Sequence, residues 1–321
     1  MIINGSPPHF PTHITVPRPV TTPTHPCTTV PRCYGPIALQ ASLRILRDVV
    51  VYRIRNREMA NLASSLSIML ALRLDWFDTA MRFLFAIAGN AAVYLVNDIF
   101  DVAADHASQT KDTCKAAFLK AHQRDAWRAT WIPLTVMTAI GVAWNRELLI
   151  VMLAIGAALF AYSARLKRIA YLDLPTVFVC GVVGSTLAFP LDRAIGWCLA
   201  GLLGCFVMCF QTVQMVRDHD EDSDFGTRTT AVALGTRSTI ALQRVLLVIA
   251  ALYTALLVHR WIGTAMLLTV LLPFQAKEAG AHWNRIRLAL GFAWLAIIGW
   301  VLWKGSLDGI LVQLQHNASL W

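Results

Sequence analysis

Two short acidic runs hold the residues in this chain best suited to chemistry. The first reads Asn97-Asp98-Ile99-Phe100-Asp101-Val102-Ala103-Ala104-Asp105, the second Arg217-Asp218-His219-Asp220-Glu221-Asp222-Ser223-Asp224-Phe225-Gly226. On a continuing helix Asn97, Asp101 and Asp105 stack at i, i+4 and i+8, with Asp98 one step round from Asp101. In the second run Asp218 and Asp222 share a face while Asp220 and Asp224 rotate away. Like charges at this spacing repel, so a cation must sit between them or the helix is weakened. Oxygen donors with little His or Cys nearby suit a hard ion, and Mg2+ commonly binds through one or two carboxylates plus substrate phosphates. A diphosphate bridged by Mg2+ is therefore the natural ligand. The segment Tyr162-Ser163-Ala164-Arg165-Leu166-Lys167-Arg168 offers positive charge to complete the site, because Lys and Arg hold phosphate oxygens through charge-assisted hydrogen bonds.

The elements that must position these residues are membrane helices. Of 321 residues, 56% are apolar and 15% charged, against about 25% charged in soluble domains. The apolar residues fall in runs near the roughly 20 residues needed to cross a bilayer as helix, at about 58–74, 79–97, 127–145, 148–164, 172–190, 195–216, 239–259, 261–276 and 287–304. Ile195 to Val216 is apolar on every face, which excludes the alternating pattern of a β-barrel. The expected fold is thus all-α, a polytopic membrane protein with nine transmembrane helices. Residues 1–42, rich in Pro, Thr and His, are expected to form a disordered cytosolic tail, 43–306 the transmembrane domain, and 307–321 a short C-terminal tail. Leu43 to Arg57, carrying Arg44, Arg47, Arg53, Arg55 and Arg57, reads as an amphipathic stretch at the membrane surface.

Of 28 Lys and Arg, 22 fall on the side of the amino terminus, and only Arg73, Arg82, Arg146, Arg193, Arg260 and Lys304 on the other. This bias puts the amino terminus and both acidic segments, roughly 98–126 and 217–238, on the cytosolic face. The net charge of +9 is dispersed at the ends of apolar runs rather than gathered in a patch, so nucleic acid is not the expected partner. Seven cysteines form no CxxC, and Cys205 and Cys209 read as small core hydrophobes.

Other readings of the same residues stand beside this one. The acidic runs could be solvated loop charge, but cytosolic loops favour Lys and Arg, and five acids fall between Asp218 and Asp224. A cation-coupled transporter would place carboxylates nearer the midplane, on broken helices in matching repeats. His219 and Asp220 could form an acid/base pair or a plain surface pair. Asp173 and Pro175 look like a helix entry with a capping role, and Asn90 in mid-span serves either substrate contact or an inter-helix hydrogen bond.

Taken together the residues resemble the UbiA superfamily of intramembrane prenyltransferases. Its members have nine transmembrane helices, a first motif NDxxDxxxD on the second helix and a second motif DxxxD after the sixth, often followed by Gly and Thr. Asn97, Asp98, Asp101 and Asp105 match the first; Asp218, Asp222, Gly226 and Thr229 match the second. The resemblance covers about residues 58 to 304. It implies that Asn97, Asp98, Asp101, Asp105, Asp218 and Asp222 hold Mg2+ and that Asp98, Asp101, Asp218 and Asp222 are essential to catalysis. Asn97, Asp105, Lys111, Lys115, Tyr162, Arg165, Lys167, Arg217 and Arg228 would contact an isoprenoid diphosphate. The donor would ionise and its prenyl group pass to a second small molecule, aromatic in many members. One departure stands out: many aromatic prenyltransferases carry an Arg-Pro-containing basic segment after the first motif, whereas this chain runs from His106 to Lys115 without one. Lys111 or Lys115 takes over that role, or the acceptor differs. Superfamily members resembling terpene cyclases, which need no separate acceptor, keep cyclisation as the alternative.

The charge distribution makes a topological prediction. With single cysteines in a cysteine-free background, probes at Ser108 and Ser223 should be protected from an impermeant thiol reagent in intact cells, while one near Asp308 reacts. The opposite pattern reverses the orientation.

Overall fold

In a computed structural model the chain is described over residues 38–55, 59–107 and 113–304. Lys111, the C-terminal tail and nearly all of the amino-terminal tail lie outside the described residues. The helices are α1 (Ala38–Arg55), α2 (Ala60–Ala71), α3 (Trp76–Ala107), α4 (Thr113–Ala121), α5 (Gln123–Ala143), α6 (Glu147–Ala164), α7 (Asp173–Ser185), α8 (Ala194–Arg217), α9 (His219–Asp224), α10 (Thr230–Leu234), α11 (Thr236–Leu257), α12 (Arg260–Met266) and α13 (Ala279–Lys304). Among the described residues there is no strand, only an isolated parallel bridge between Ile169 and Arg228.

Helix falls on every expected apolar segment. Five stretches are long and apolar enough to cross a membrane: Trp76–Ala103, Glu147–Arg168, Ala194–Arg217, Thr236–Leu257 and Ala276–Lys304. Ala60–Ala71, Asp173–Ala188 and Arg260–Leu271 are shorter apolar helices, and α5 contains Pro133. Two ends move relative to the sequence expectation. The second apolar segment continues to Ala107 instead of stopping at 97, so the first motif lies wholly on α3; the last starts at Ala279 rather than 287. The described part of segment 98–126, expected as a connection, is therefore mostly helix, formed by the end of α3, α4 and the start of α5.

Large side chains point both ways, as a bilayer requires. Phe85, Phe189, Leu199, Leu202, Leu247 and Leu290 are fully buried in the bundle, whereas Trp76, Leu153, Leu271, Phe292 and Trp303 are exposed on its perimeter. Polar side chains inside the bundle find one another. Asn61 donates to Asn90 across α2 and α3, and Trp294 Nε1 donates to Ser67 Oγ at 2.8 Å. Of the two roles expected for Asn90, the structure shows the inter-helix bond. At the end remote from the acidic motifs, the buried Arg82 donates to Asp78 at 2.9 Å and to the carbonyls of Leu187 and Phe189. Helix α1 does not simply lie on the surface: Ile45 and Val49 are buried against Leu95, Ile99, Leu119 and Ala129, and Ser42 Oγ donates to the Asp125 carbonyl at 3.0 Å.

Small residues bring backbones together where helices cross. A Cβ on Gly263 would lie 2.2 Å from the Ala255 nitrogen and 2.6 Å from the Ala251 carbonyl oxygen, so α12 packs on α11 by direct backbone approach. Gly263→Val should push the pair apart, at a cost at or above the ~1–3 kcal/mol typical of overpacking. Thermal unfolding in detergent checks this; an unchanged midpoint would mean that the two helices do not meet at this glycine.

Candidate active site

The site begins where α3 carries its carboxylates out of the apolar core. Asp98 is only 3% exposed, and both its oxygens are engaged. Arg53 Nη2, from α1, donates to Oδ1 at 2.6 Å, and Lys115 Nζ, from α4, to Oδ2 at 2.6 Å. Tyr94 lies under the guanidinium, 4.5 Å from ring centroid to Arg53 Cζ, and the ring of Tyr52 lies 4.2 Å from Lys115 Nζ. These rings favour both cations at positions where water is scarce. One turn further along α3, Asp101 receives Lys167 Nζ, and Ser163 Oγ donates a long bond of 3.4 Å to Asn97 Oδ1.

Lys167 reaches Asp101 because α6 ends at Ala164 and a single 3-10 turn, Leu166–Arg168, folds back toward α3. The chain then passes through Tyr171, whose φ of 68° is unusual for a residue with a Cβ; its N–H donates to Thr230 Oγ1 at 2.7 Å. Asp173, 1% exposed, is the anchor of this region. Its Oδ2 accepts from the Thr230 N–H at 2.7 Å, and its Oδ1 accepts from the Thr230 hydroxyl and from Leu174 N–H. Asp173 does stand at a helix entry, as expected, but the orphan N–H it satisfies across space belongs to α10.

The second motif is more open. Helix α8 ends at Arg217, whose Nε and Nη2 donate to Asp218 at 2.7 and 3.1 Å. Asp222 lies one turn on, its N–H donating to the Asp218 carbonyl at 2.8 Å. Gly226, at φ +68°, reverses the chain through a conformation that favours glycine, so that Thr229 returns to donate to Asp222 Oδ2 at 3.4 Å and to cap α10. The two motifs are joined by the chain after α6, where half-buried Tyr162 precedes the Lys167 turn, and the Ile169–Arg228 bridge and the Asp173–Thr230 tie fasten that turn to the loop after Asp222.

Most expected residues therefore converge at one end of the bundle: Asn97, Asp98, Asp101, Lys115, Tyr162, Lys167 and Asp222. Asp105 is half-buried further along α3. Arg165 and Arg228 are exposed, the latter meeting the site through its backbone bridge to Ile169. His219 does pair with Asp220 at 2.8 Å, but Asp220 is 99% exposed. Arg53 and the Asp173–Thr230 tie were not anticipated from sequence. Among the described residues no three His, Cys, Asp or Glu side chains converge to cage a metal by themselves. The candidate donors are all oxygen, four along the last turns of α3 and two beyond α8, which fits a hard cation completed by phosphate and water.

The chain is similar to known proteins in sequence and in fold. The family model described as the UbiA prenyltransferase family covers residues 61–277. A lycopene elongase/hydratase of Corynebacterium glutamicum is 28% identical over 223 residues, 66% of this chain and 75% of its own length. A UbiA homologue of Archaeoglobus fulgidus solved with GPP and Mg2+ superposes with a TM-score of 0.55 at 16% identity, over 81% of this chain and 99% of that one. A digeranylgeranylglyceryl phosphate synthase gives 0.60 at 15%, over 83% and 99%. At these identities the solved structures establish the fold.

The Asp173–Thr230 tie can be tested directly. Asp173→Ala strands a buried N–H and a buried hydroxyl, and bonds to a charged acceptor are worth about 1.5–3 kcal/mol each. It should lower the unfolding midpoint by several degrees, and Thr230→Val by less because the backbone N–H bond survives. Equal midpoints for wild type and Asp173→Ala would show that the tie holds nothing.

Proposed function

Because the chain belongs to the UbiA prenyltransferase family, and is thus an integral membrane prenyltransferase, we propose that it ionises an isoprenoid diphosphate in a Mg2+-dependent reaction and transfers the prenyl group to a second molecule. The observation that carries this is the joining of the first carboxylate motif, on α3, to the second, beyond α8, through the Lys167 turn, which pairs with Asp101 and is tied to the α9–α10 loop by Asp173 and Thr230. Asn97, Asp98, Asp101, Asp105, Asp218 and Asp222 would hold the metal. Mg2+, when bound, supplies Lewis-acid neutralisation of the departing diphosphate. Lys115 and Lys167 would donate charge-assisted hydrogen bonds to its oxygens, with Arg217, Arg165, Arg228 and Lys111 further out. The C–O bond breaks with its electron pair on diphosphate, and the allylic cation forms inside an apolar bundle that excludes water. Nine membrane crossings with both motifs on the cytosolic side complete the reading.

The acceptor donates a π pair to the cation, forming the new C–C bond, and then loses a proton or adds water. An aromatic ring suits this chemistry, and so does a long polyene. The second is favoured by the similarity to a lycopene elongase/hydratase and by the lack of an Arg-Pro segment after the first motif. Cyclisation without acceptor is the remaining alternative.

Purified protein given prenyl diphosphates of several lengths, with a linear polyene, an aromatic acid or neither, separates these classes by product. Activity should vanish in EDTA and return with Mg2+. Asp101→Ala, Asp218→Ala and Asp222→Ala should each reduce turnover by about 10²-fold or more without loss of folded protein, whereas Asp98→Ala should do so with a lowered unfolding midpoint, because it strands two cations. Full activity in EDTA, or in Asp101→Ala combined with Asp218→Ala, would end the assignment; a cyclic product formed at full rate without acceptor would replace transfer by cyclisation.

A further inference from the structure

We propose that Arg53, on α1, is a diphosphate-binding residue of this site, exchanging Asp98 for the phosphate oxygens when metal and donor bind; the proposal rests on the function given above. Helix α1 precedes the family-matched residues 61–277, so the likeness assigns nothing to it. Its guanidinium nevertheless reaches one of the proposed metal ligands at 2.6 Å. The Arg53 side chain is 15% exposed, and α1 is held in place by buried Ile45 and Val49 and by the Ser42 hydrogen bond.

Two steps lead from this geometry to the role. Both oxygens of Asp98 accept from a cation, so a metal ion approaching either oxygen meets a like charge a few ångströms away, and displacing one cation relieves that repulsion. A guanidinium held in place by packing cannot simply withdraw into water, and as Asp98 turns to the metal its charge favours a new anion beside it. The diphosphate arriving with the metal provides that anion within the same few ångströms. A guanidinium fork suits phosphate oxygens, and the Tyr94 face 4.5 Å away favours Arg53 in place throughout. Arg53 and Lys115 together then supply, from α1 and α4, the positive charge that an Arg-Pro segment carries in relatives.

The exchange has a signature that a purely structural clamp lacks. Arg53→Ala should weaken binding of inorganic pyrophosphate with Mg2+ by about tenfold or more. It should also tighten binding of Mn2+ alone, read by electron paramagnetic resonance, because a competitor for Asp98 is gone. Arg53→Lys should fall between wild type and Arg53→Ala on both measures. Val49→Ala, which loosens α1 without removing charge, should not tighten Mn2+. If Arg53→Ala does not yield folded protein, Arg53→Gln carries the same paired measurement. Parallel loss of both affinities would make Arg53 only a clamp for α1, and unchanged affinities would remove it from the site. Wild-type protein that binds no pyrophosphate with Mg2+ would overturn this proposal together with the function beneath it.

Discussion

A carboxylate buried to 3% exposure near the end of an apolar helix costs several kcal/mol of lost hydration, and it persists only where cations meet it with good geometry. Asp98 is that carboxylate, and the surrounding architecture follows from its needs. Arg53 and Lys115 come from α1 and α4, the two helices that flank the long membrane helices without being part of them. Each adds apolar residues, Ile45 and Val49 from one and Leu119 from the other, to a cluster closed by Leu95, Ile99 and Val102 of α3. The ion pairs fix register; the cluster supplies the burial that keeps those pairs dry. Removing one cation would strand charge, whereas removing the carboxylate would strand two.

The two motifs are built differently. The first is buried and held from three directions, by α1, α4 and the turn after α6. In the second, Asp218 accepts from its neighbour Arg217 and Asp222 from Thr229 of its own loop. What aligns the second with the first is the buried Asp173–Thr230 tie, which fastens the Lys167 turn to the α9–α10 loop. Under the proposed function the half around buried Asp98 would be pre-organised, while half-buried Asp218 and Asp222 would adjust around an incoming phosphate. Such a division lets the fixed half orient the reacting bond while the open half admits and releases the anion.

How far sequence could see depends on whether a partner is near in the chain. The helical register of the first motif was readable because Asn97, Asp101 and Asp105 repeat every four residues, and α3 does run through all of them. Lys167 was readable as a basic residue just beyond an apolar run. Arg53 was hidden among five arginines in one amphipathic stretch, its partner 45 residues away. A signal did exist: Ile45, Val49 and Arg53 repeat at i, i+4 and i+8, so the buried stripe singles out Arg53 and leaves Arg44, Arg47 and Arg55 outside. The Asp173–Thr230 tie had no such signal. Asp173 at a helix start looks like a local cap, and nothing in its surroundings points to a threonine 57 residues on.

Helix polarity explains why this site must work through cations. Phosphate sites commonly sit at helix N-termini, where free N–H groups and the positive end of the dipole receive the anion. Here α6 and α8 end at the site and α3 runs its C-terminal turns through it, so the backbone presents carbonyls and the negative ends of dipoles. The nearby N-terminus of α10 is already filled by Asp173 and Thr229. Backbone polarity thus adds to the repulsion that the carboxylates already impose on a diphosphate. Under the proposed function an anion would dwell there only if metal and side-chain cations outnumber that negative charge, and the same excess, acting on a leaving group whose charge grows as its C–O bond breaks, would favour departure over the bound ground state.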